Sequence, residues 1–320
     1  MYYFNGSPIN KPLVYQNESF WDGKDWYKVY NDETTCRREA EMLTMADGCK
    51  GGVVRITGSG YGVLEERHED GRVVKRYAIK EEYVQGERFD DYVDYNHDEE
   101  CAIHLFISLL QTLSVLLERG IIHNDLKPEN IIVRDNGQPV LVDLGISKKT
   151  DPNDPLQDYH TNISEHFSAP EKELKGPNPV SVRGDIFSIG RLMKYLMDHN
   201  PEKGENAYSK TFINIRKKCT ARNPAERYAS FDEMKGQLES IIKEMTKKVR
   251  VVNKGEKRKR MLRDAIMQLL TSVSAVLLFL AVYFISRPPE KEPRRTNPHK
   301  PSVVEDCRII YADVRNALKK

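Results

Sequence analysis

Asp125, Lys127, Asn130 and Asp143 fall within nineteen positions of one another, and their types suit the transfer of a phosphoryl group. That reaction asks for metal ligands, a cation beside the phosphates and a group that orients the incoming hydroxyl. Asp125 can accept the proton of an attacking hydroxyl, and Lys127 can neutralise charge on the transferring group. Asn130 and Asp143 are hard oxygen donors of the kind that magnesium prefers. Between them, two apolar runs at 131–133 and 140–142 flank an Asn136-Gly137 turn. This predicts a hairpin that carries Asn130 and Asp143 to one side of a cleft. Taken singly, Asp125 or Asp143 would read as a turn carboxylate capping nearby backbone; the ordered set argues for chemistry.

The elements that must position these groups change character along the chain. Residues 1–95 read as short strands and turns, with strands at 13–15, 26–30, 52–56, 62–65 and 73–84 and one helical stretch at 35–46. From Asp98 the pattern turns helical. Ala102, Leu105, Phe106, Leu109, Leu113, Leu116 and Leu117 recur at three and four residues, which predicts a long helix with a buried stripe, ended by Gly120. The expected fold class is therefore α+β, a small β-rich lobe followed by a larger helical lobe, with a nucleotide in the cleft between them.

His123-Asn124-Asp125-Leu126-Lys127-Pro128-Glu129-Asn130 resembles the catalytic loop of the protein kinase family. Asp143-Leu144-Gly145 is similar to its metal-binding DFG motif, and Ala169-Pro170-Glu171 to the APE motif that closes the activation segment. Asp185–Gly190 resembles the start of that family's large buried helix, and Arg227 matches the arginine that pairs with the APE glutamate. The resemblance covers about residues 6–243 and implies ATP and Mg2+ as cofactors, protein substrates, and Ser/Thr specificity from the lysine at 127. It gives Asp125 and Lys127 catalytic roles and makes Asn130 and Asp143 the metal ligands. Asp185 and the Glu171–Arg227 pair are expected to be structural.

The ATP lysine of the family follows a glycine-rich loop, and two segments compete for that description. Gly58–Gly62 with Lys80 matches by eye. However, only residues 81–97 would then remain for a helix, two strands and the inter-lobe hinge, and such a stretch spans at most about 60 Å even when fully extended. Glu82 to Glu87 itself resembles the hinge, with Glu82 and Val84 offering backbone groups to adenine. Lys28 is therefore the expected ATP lysine, paired with Glu39, or with Glu41 if the register slips. Counting back from Lys28 puts the phosphate-covering loop at residues 6–11, where Gly6 is the one glycine left.

Three departures bear on activity. The loop near Gly6 is degenerate, Trp26 stands where the family has alanine beside the adenine, and Asn124 replaces the arginine of the HRD sequence. Without that arginine, Ser147, Thr150, Thr161 and Ser164 lose the usual partner for a phosphorylation switch. The leading expectation is an active Ser/Thr kinase of the non-RD type. A pseudokinase that binds nucleotide or partners without transfer is the alternative, and a kinase for small molecules or lipids is a third reading.

The 320 residues carry 50 Lys and Arg against 48 Asp and Glu, so whole-chain charge gives no argument for nucleic acid. Five scattered cysteines without a CxxC pair speak against a disulfide framework or a zinc site. The first ten residues lack the features of a signal peptide. Residues 265–285 hold no charge and suit a transmembrane helix. Nine Lys and Arg precede this stretch in 247–263 and five follow in 287–303, which orients residues 1–263 to the cytoplasm. The expected order is a kinase domain at 1–245 (lobes at about 1–84 and 88–245), a basic juxtamembrane segment at 246–264, a membrane span at 265–285 and a short extracytoplasmic tail at 286–320. Self-association is a further expected contact.

Overall fold

The computed structural model describes residues 1–10, 12, 14–16, 19–47, 49, 51–94, 98–151, 164, 166–173, 181–200 and 204–285. Strands β1 (Tyr2–Phe4), β2 (Ser7–Ile9), β3 (Val14–Gln16), β4 (Ser19–Trp21), β5 (Asp25–Tyr30), β6 (Ile56–Arg67) and β7 (Val73–Glu82) form an antiparallel sheet in the order β2-β1-β6-β7-β5-β4-β3. Turn chemistry fixes the β6–β7 hairpin: Gly71 takes φ of +84°, and the Asp70 carboxylate accepts the Arg72 N–H at 2.9 Å.

Side chains alternate across a strand, so the sheet sorts its residues onto two faces. Tyr27 enters a small cluster with Phe4, Phe20, Leu64 and Ala78. Trp26 and Lys28 therefore point the other way, and Lys28 reaches helix α1 (Glu33–Ala46) at Glu39. Asp32 caps α1 by accepting the Thr35 N–H at 2.7 Å, and the helix buries Cys36, Glu39, Ala40, Met42 and Leu43.

The helical part starts after β8 (Glu87–Arg88) and the short α2 (Phe89–Tyr92). Helix α3 (Glu99–Glu118) is capped by Asp98, and Glu99 and Glu100 oppose the positive end of its dipole. Its stripe of Leu105, Phe106, Leu109, Leu113 and Leu116 is fully buried, worth roughly 1.5–3 kcal/mol per side chain. Gly120, at φ of +74°, terminates it. Then come β9 (Ile121–Ile122), β10 (Ile131–Val133), β11 (Pro139–Leu141), β12 (Lys148–Lys149), α4 (Val182–Asp198), α5 (Lys210–Cys219) and α6 (Phe231–Ile285). One core cluster joins α1, α3, β10, β11, α4, α5 and the start of α6. A β-sheet N-terminal part and a helical C-terminal part thus make the α+β arrangement.

Two strand expectations need correction. Residues 52–56 do not form a sheet strand: Val54 N–H donates to the Leu141 carbonyl at 2.9 Å, and Leu141 N–H to the Gly52 carbonyl at 3.0 Å. That segment is tied to β11, and β6 begins only at Ile56, with a bulge before Tyr61 that absorbs Gly58 and Gly60 at positive φ. The strand expected at 13–15 appears as Val14–Gln16, with Leu13 outside the described residues.

The chain divides into two compact units, Met1–Arg250 and Val251–Lys320. Residues of α6 up to Arg250 belong to the first. In the second, Gly255–Leu280 is long and apolar enough to cross a membrane, and Leu269, Leu270, Leu277, Leu278 and Phe279 are exposed. Helix α3 passes the same test of length and composition, but half of it is buried in the first unit. The expected tail at 286–320 lies outside the described residues.

Candidate active site

Alternation along β5 and β7 settles which lysine meets α1. Lys28 is registered opposite Ile79, whereas Lys80 is opposite Tyr27 and so shares the other face. Lys28 Nζ lies 2.6 Å from Glu39 Oε1 and 3.1 Å from Asp143 Oδ1. Lys80 pairs instead with Asp25 at 2.9 Å. Glu41, the alternative partner, is half exposed and binds Arg37 on the outer face of α1. Glu39 is 1% exposed and takes two further donors, the Tyr30 hydroxyl at 2.6 Å and the Leu144 N–H at 3.2 Å. Burial alone would lower the Lys28 pKa, but Glu39, Asp143 and Glu81 together outweigh it and raise it, so the ammonium stays charged. Burial would raise the Asp143 carboxyl; Lys28 and the Gly145 N–H outweigh it and hold the group below its ordinary value.

The loop at 123–130 is pinned from beneath. Both oxygens of buried Asp185, on α4, accept backbone N–H groups, from His123 at 3.0 Å and Asn124 at 2.8 Å. Asn124 adopts φ of +66°, tolerable for asparagine, and its amide donates to the Ile146 carbonyl at 3.1 Å. Lys172 Nζ donates to the Asn124 carbonyl at 2.5 Å. His123 is buried, which pushes its pKa down despite Asp185, and its Nδ1 accepts the Asp125 N–H at 3.3 Å.

Asp125 is held from three sides. Asn130 Nδ2 donates to its Oδ2 at 3.0 Å, Ser164 Oγ to its Oδ1 at 2.9 Å, and Lys127 Nζ stands 2.8 Å from Oδ2. The Val142 N–H donates to the Asn130 carbonyl at 3.1 Å, which brings β11 and the following Asp143 beside the loop. A divalent cation fits this donor set. The Asn130 amide nitrogen is spent on Asp125, leaving its side-chain oxygen, and Lys28 and Gly145 engage only Oδ1 of Asp143.

Lys28, Trp26, Glu81, Glu82, Val84, Lys127, Asn130 and Asp143 line one cleft of about 900 Å³, a size that admits a nucleotide. Trp26 forms one wall without closing it. No hydrogen-bond partner engages the Val84 N–H or C=O among the described residues. The Glu82 N–H donates to the Arg55 carbonyl at 2.9 Å, and the Glu82 carboxylate pairs with Arg55. Gly86 then passes so near the Val133 carbonyl that a Cβ would collide with it.

Gly6 is the correction. Expected over the phosphates, it sits in the β1–β2 turn, where β1 pairs with β6, and two strands, β6 and β7, separate that hairpin from β5. The neighbouring Asn5 side chain bonds Ser59 and the Val63 N–H, so the two glycine segments of the sequence meet at the far edge of the sheet. On its other side β5 pairs with β4, which pairs in turn with β3, and the residues joining β3 to β4, 17–18, lie outside the described residues. Thr161 does too, while Ser147 is buried with its hydroxyl on the His123 carbonyl. Tyr30, Glu81 and Lys172 were not singled out in the sequence. Only Tyr30 carried a signal, two residues from Lys28 on the same face of β5.

Residues 25–259 match the family model described as a protein kinase domain. The chain is similar to a probable serine/threonine-protein kinase PknB of Lactococcus lactis, with 27% identity over 64% of this chain and 34% of that protein. It is similar to serine/threonine-protein kinase D of Synechocystis, at 28% over 52% of this chain and 36% of that one. Serine/threonine-protein kinase PrkC of Bacillus subtilis gives 25% over 52% of this chain and 29% of its own length. The chain thus spans about a third of the length of these curated relatives.

Proposed function

The chain belongs to the protein kinase family, and from that premise we propose that it transfers the γ-phosphate of ATP to serine and threonine hydroxyls of proteins. The observation that carries this reading is the gathering of Lys28, Asp143, Asn130 and Lys127 in the lining of one cleft, with Asp125 bonded to Asn130 and beside Lys127. Lys28, kept charged, holds the nucleotide phosphates, and Glu39 with Tyr30 fixes its position. The backbone groups of Val84 and the Glu82 carbonyl take the adenine edge. Asp125, oriented by Asn130 and Ser164, accepts the proton of the incoming hydroxyl, while Lys127 offsets charge on the transferring phosphoryl group. Magnesium, when held by Asn130 and Asp143, supplies charge neutralisation on the phosphates.

Lys172, by donating to the Asn124 carbonyl, holds that loop without an activation-loop phosphate, in keeping with a non-RD kinase. The pseudokinase alternative finds no support in an assembled catalytic set. Residues 265–285 act as a membrane anchor, with 1–245 as a cytoplasmic catalytic domain beside the basic segment 246–264 and the tail 286–320 across the membrane. Protein substrates and self-association are the partners this arrangement would serve.

Calorimetric titration of the full chain in detergent with ADP, with and without magnesium chloride, tests the nucleotide site. Magnesium should tighten ADP binding in the wild type and have little effect in Asp143→Asn. Binding that ignored magnesium in both proteins would count against the assignment of Asn130 and Asp143.

A further inference from the structure

Glu81 is a buried titratable group in the cleft that the proposed chemistry leaves unused. It lies on β7 opposite Trp26, on the face that carries Lys28, and immediately precedes Glu82 and Val84 in the lining of the cleft. The residue is 2% exposed, and its Oε1 has no hydrogen-bond partner. Lys28 makes its close contacts with Glu39 at 2.6 Å and Asp143 at 3.1 Å and acts on Glu81 only through its charge. A buried carboxyl oxygen without a partner is costly to the fold, so such a group facing a ligand cleft points to a partner brought by the ligand.

We infer that the Glu81 carboxyl reads the purine base, selecting adenine over guanine by pairing with the edge that carries N6 and N7. The inference rests on the nucleotide reading above and adds its base specificity. Burial pushes the Glu81 carboxyl well above its ordinary range, with Glu39, Asp143 and Glu82 adding to the shift and Lys28 opposing it. A neutral carboxyl offers one acceptor and one donor. Adenine presents an amino donor at N6 beside an acceptor at N7, whereas guanine presents acceptors at both O6 and N7. The carbonyl oxygen of Glu81 accepts from N6 and its hydroxyl donates to N7; against guanine, one of those two contacts becomes acceptor against acceptor.

The test titrates the full chain in detergent with ADP, GDP and 7-deaza-ADP, which lacks the N7 acceptor, using wild type, Glu81→Gln and Glu81→Leu. Wild type should bind ADP roughly tenfold tighter than either analogue, the usual scale for leaving one buried polar group unmatched. Glu81→Gln keeps one donor and one acceptor in the same shape and should keep both preferences. Glu81→Leu should bind ADP and 7-deaza-ADP alike, and a thermal melt of this variant confirms that it is folded. A Leu variant that retained the full preference for ADP over 7-deaza-ADP would overturn the inference, as would a wild type that bound all three equally. Absence of binding to any of the three would overturn the nucleotide reading, and this inference with it.

Discussion

Replacing Glu171 with alanine should cost the first unit more stability than replacing Arg227 with methionine, although the two residues form one pair. The Arg227 side chain is 0% exposed, and Glu171 is 16% exposed. The guanidinium donates to both Glu171 oxygens at 2.6 and 2.7 Å. It also donates to the carbonyls of Ala221 at 2.8 Å, Arg183 at 2.9 Å and Arg222 at 3.3 Å. Its planar face lies 4.8 Å from the Phe187 ring centre. Removing the carboxylate strands a cation that cannot reach water, a change that costs about 3–5 kcal/mol. Removing the arginine leaves a carboxylate at the edge of solvent, while methionine refills much of the volume. What remains is the loss of donors to backbone carbonyls and to Glu171, about 2–3 kcal/mol. At about 2–4 °C per kcal/mol for a domain of this size, Tm should fall by roughly 6–20 °C for Glu171→Ala and roughly 4–12 °C for Arg227→Met. Urea unfolding of both variants, followed by circular dichroism, gives the order directly. Equal losses, or a larger loss for Arg227→Met, would refute the argument from burial. Arg227→Lys, which keeps charge but loses the fork, should not restore wild-type stability.

Other expectations follow from the same geometry. Tyr30→Phe removes one of three donors to Glu39 and should lower stability by about 1–2 kcal/mol, read as a urea midpoint shift; an unchanged midpoint would mean the hydroxyl contact contributes nothing. Glu81 holds its proton more firmly in the folded chain, so its contribution to stability is present below the ordinary carboxyl value of 4.5 and is lost as pH rises above it. Glu81→Leu should therefore flatten the decline of Tm from that pH upward and raise Tm at neutral pH; a melt series with the wild-type slope would contradict this. Lys28→Met should weaken ADP binding in calorimetry while Lys80→Met leaves it nearly unchanged, and the reverse result would restore the discarded lysine.

What was legible in the sequence was local, or constrained by chain length. The spacing of Asp125, Asn130 and Asp143 could be read because the β10–β11 hairpin is a short-range element with its own turn residues. The choice of Lys28 over Lys80 follows from counting the residues needed before the hinge, a constraint that propensity alone does not supply, while Glu39 as its partner follows from the resemblance of residues 37–43 to the family's helix. Distance back from Lys28 does not locate the loop over the phosphates, because the chain builds two hairpins ahead of β5 and Gly6 lies in the first. The first hairpin attaches to β6 through the pairing of Tyr2 with Glu66, which no local pattern announces. Ser164 and Lys172 reach the loop across 39 and 48 residues of sequence. The role of Glu81 depends on burial, which a run of two glutamates at a strand end conceals.

Phosphate incorporation from labelled ATP tests the central claim most directly. The full chain, with magnesium, is assayed on itself and on a generic Ser/Thr acceptor protein, alongside Asp125→Ala. The account predicts magnesium-dependent incorporation in the wild type that falls by at least about a hundredfold in the variant, the range expected for loss of a positioned base. Equal incorporation by both proteins, or none by either, would contradict it.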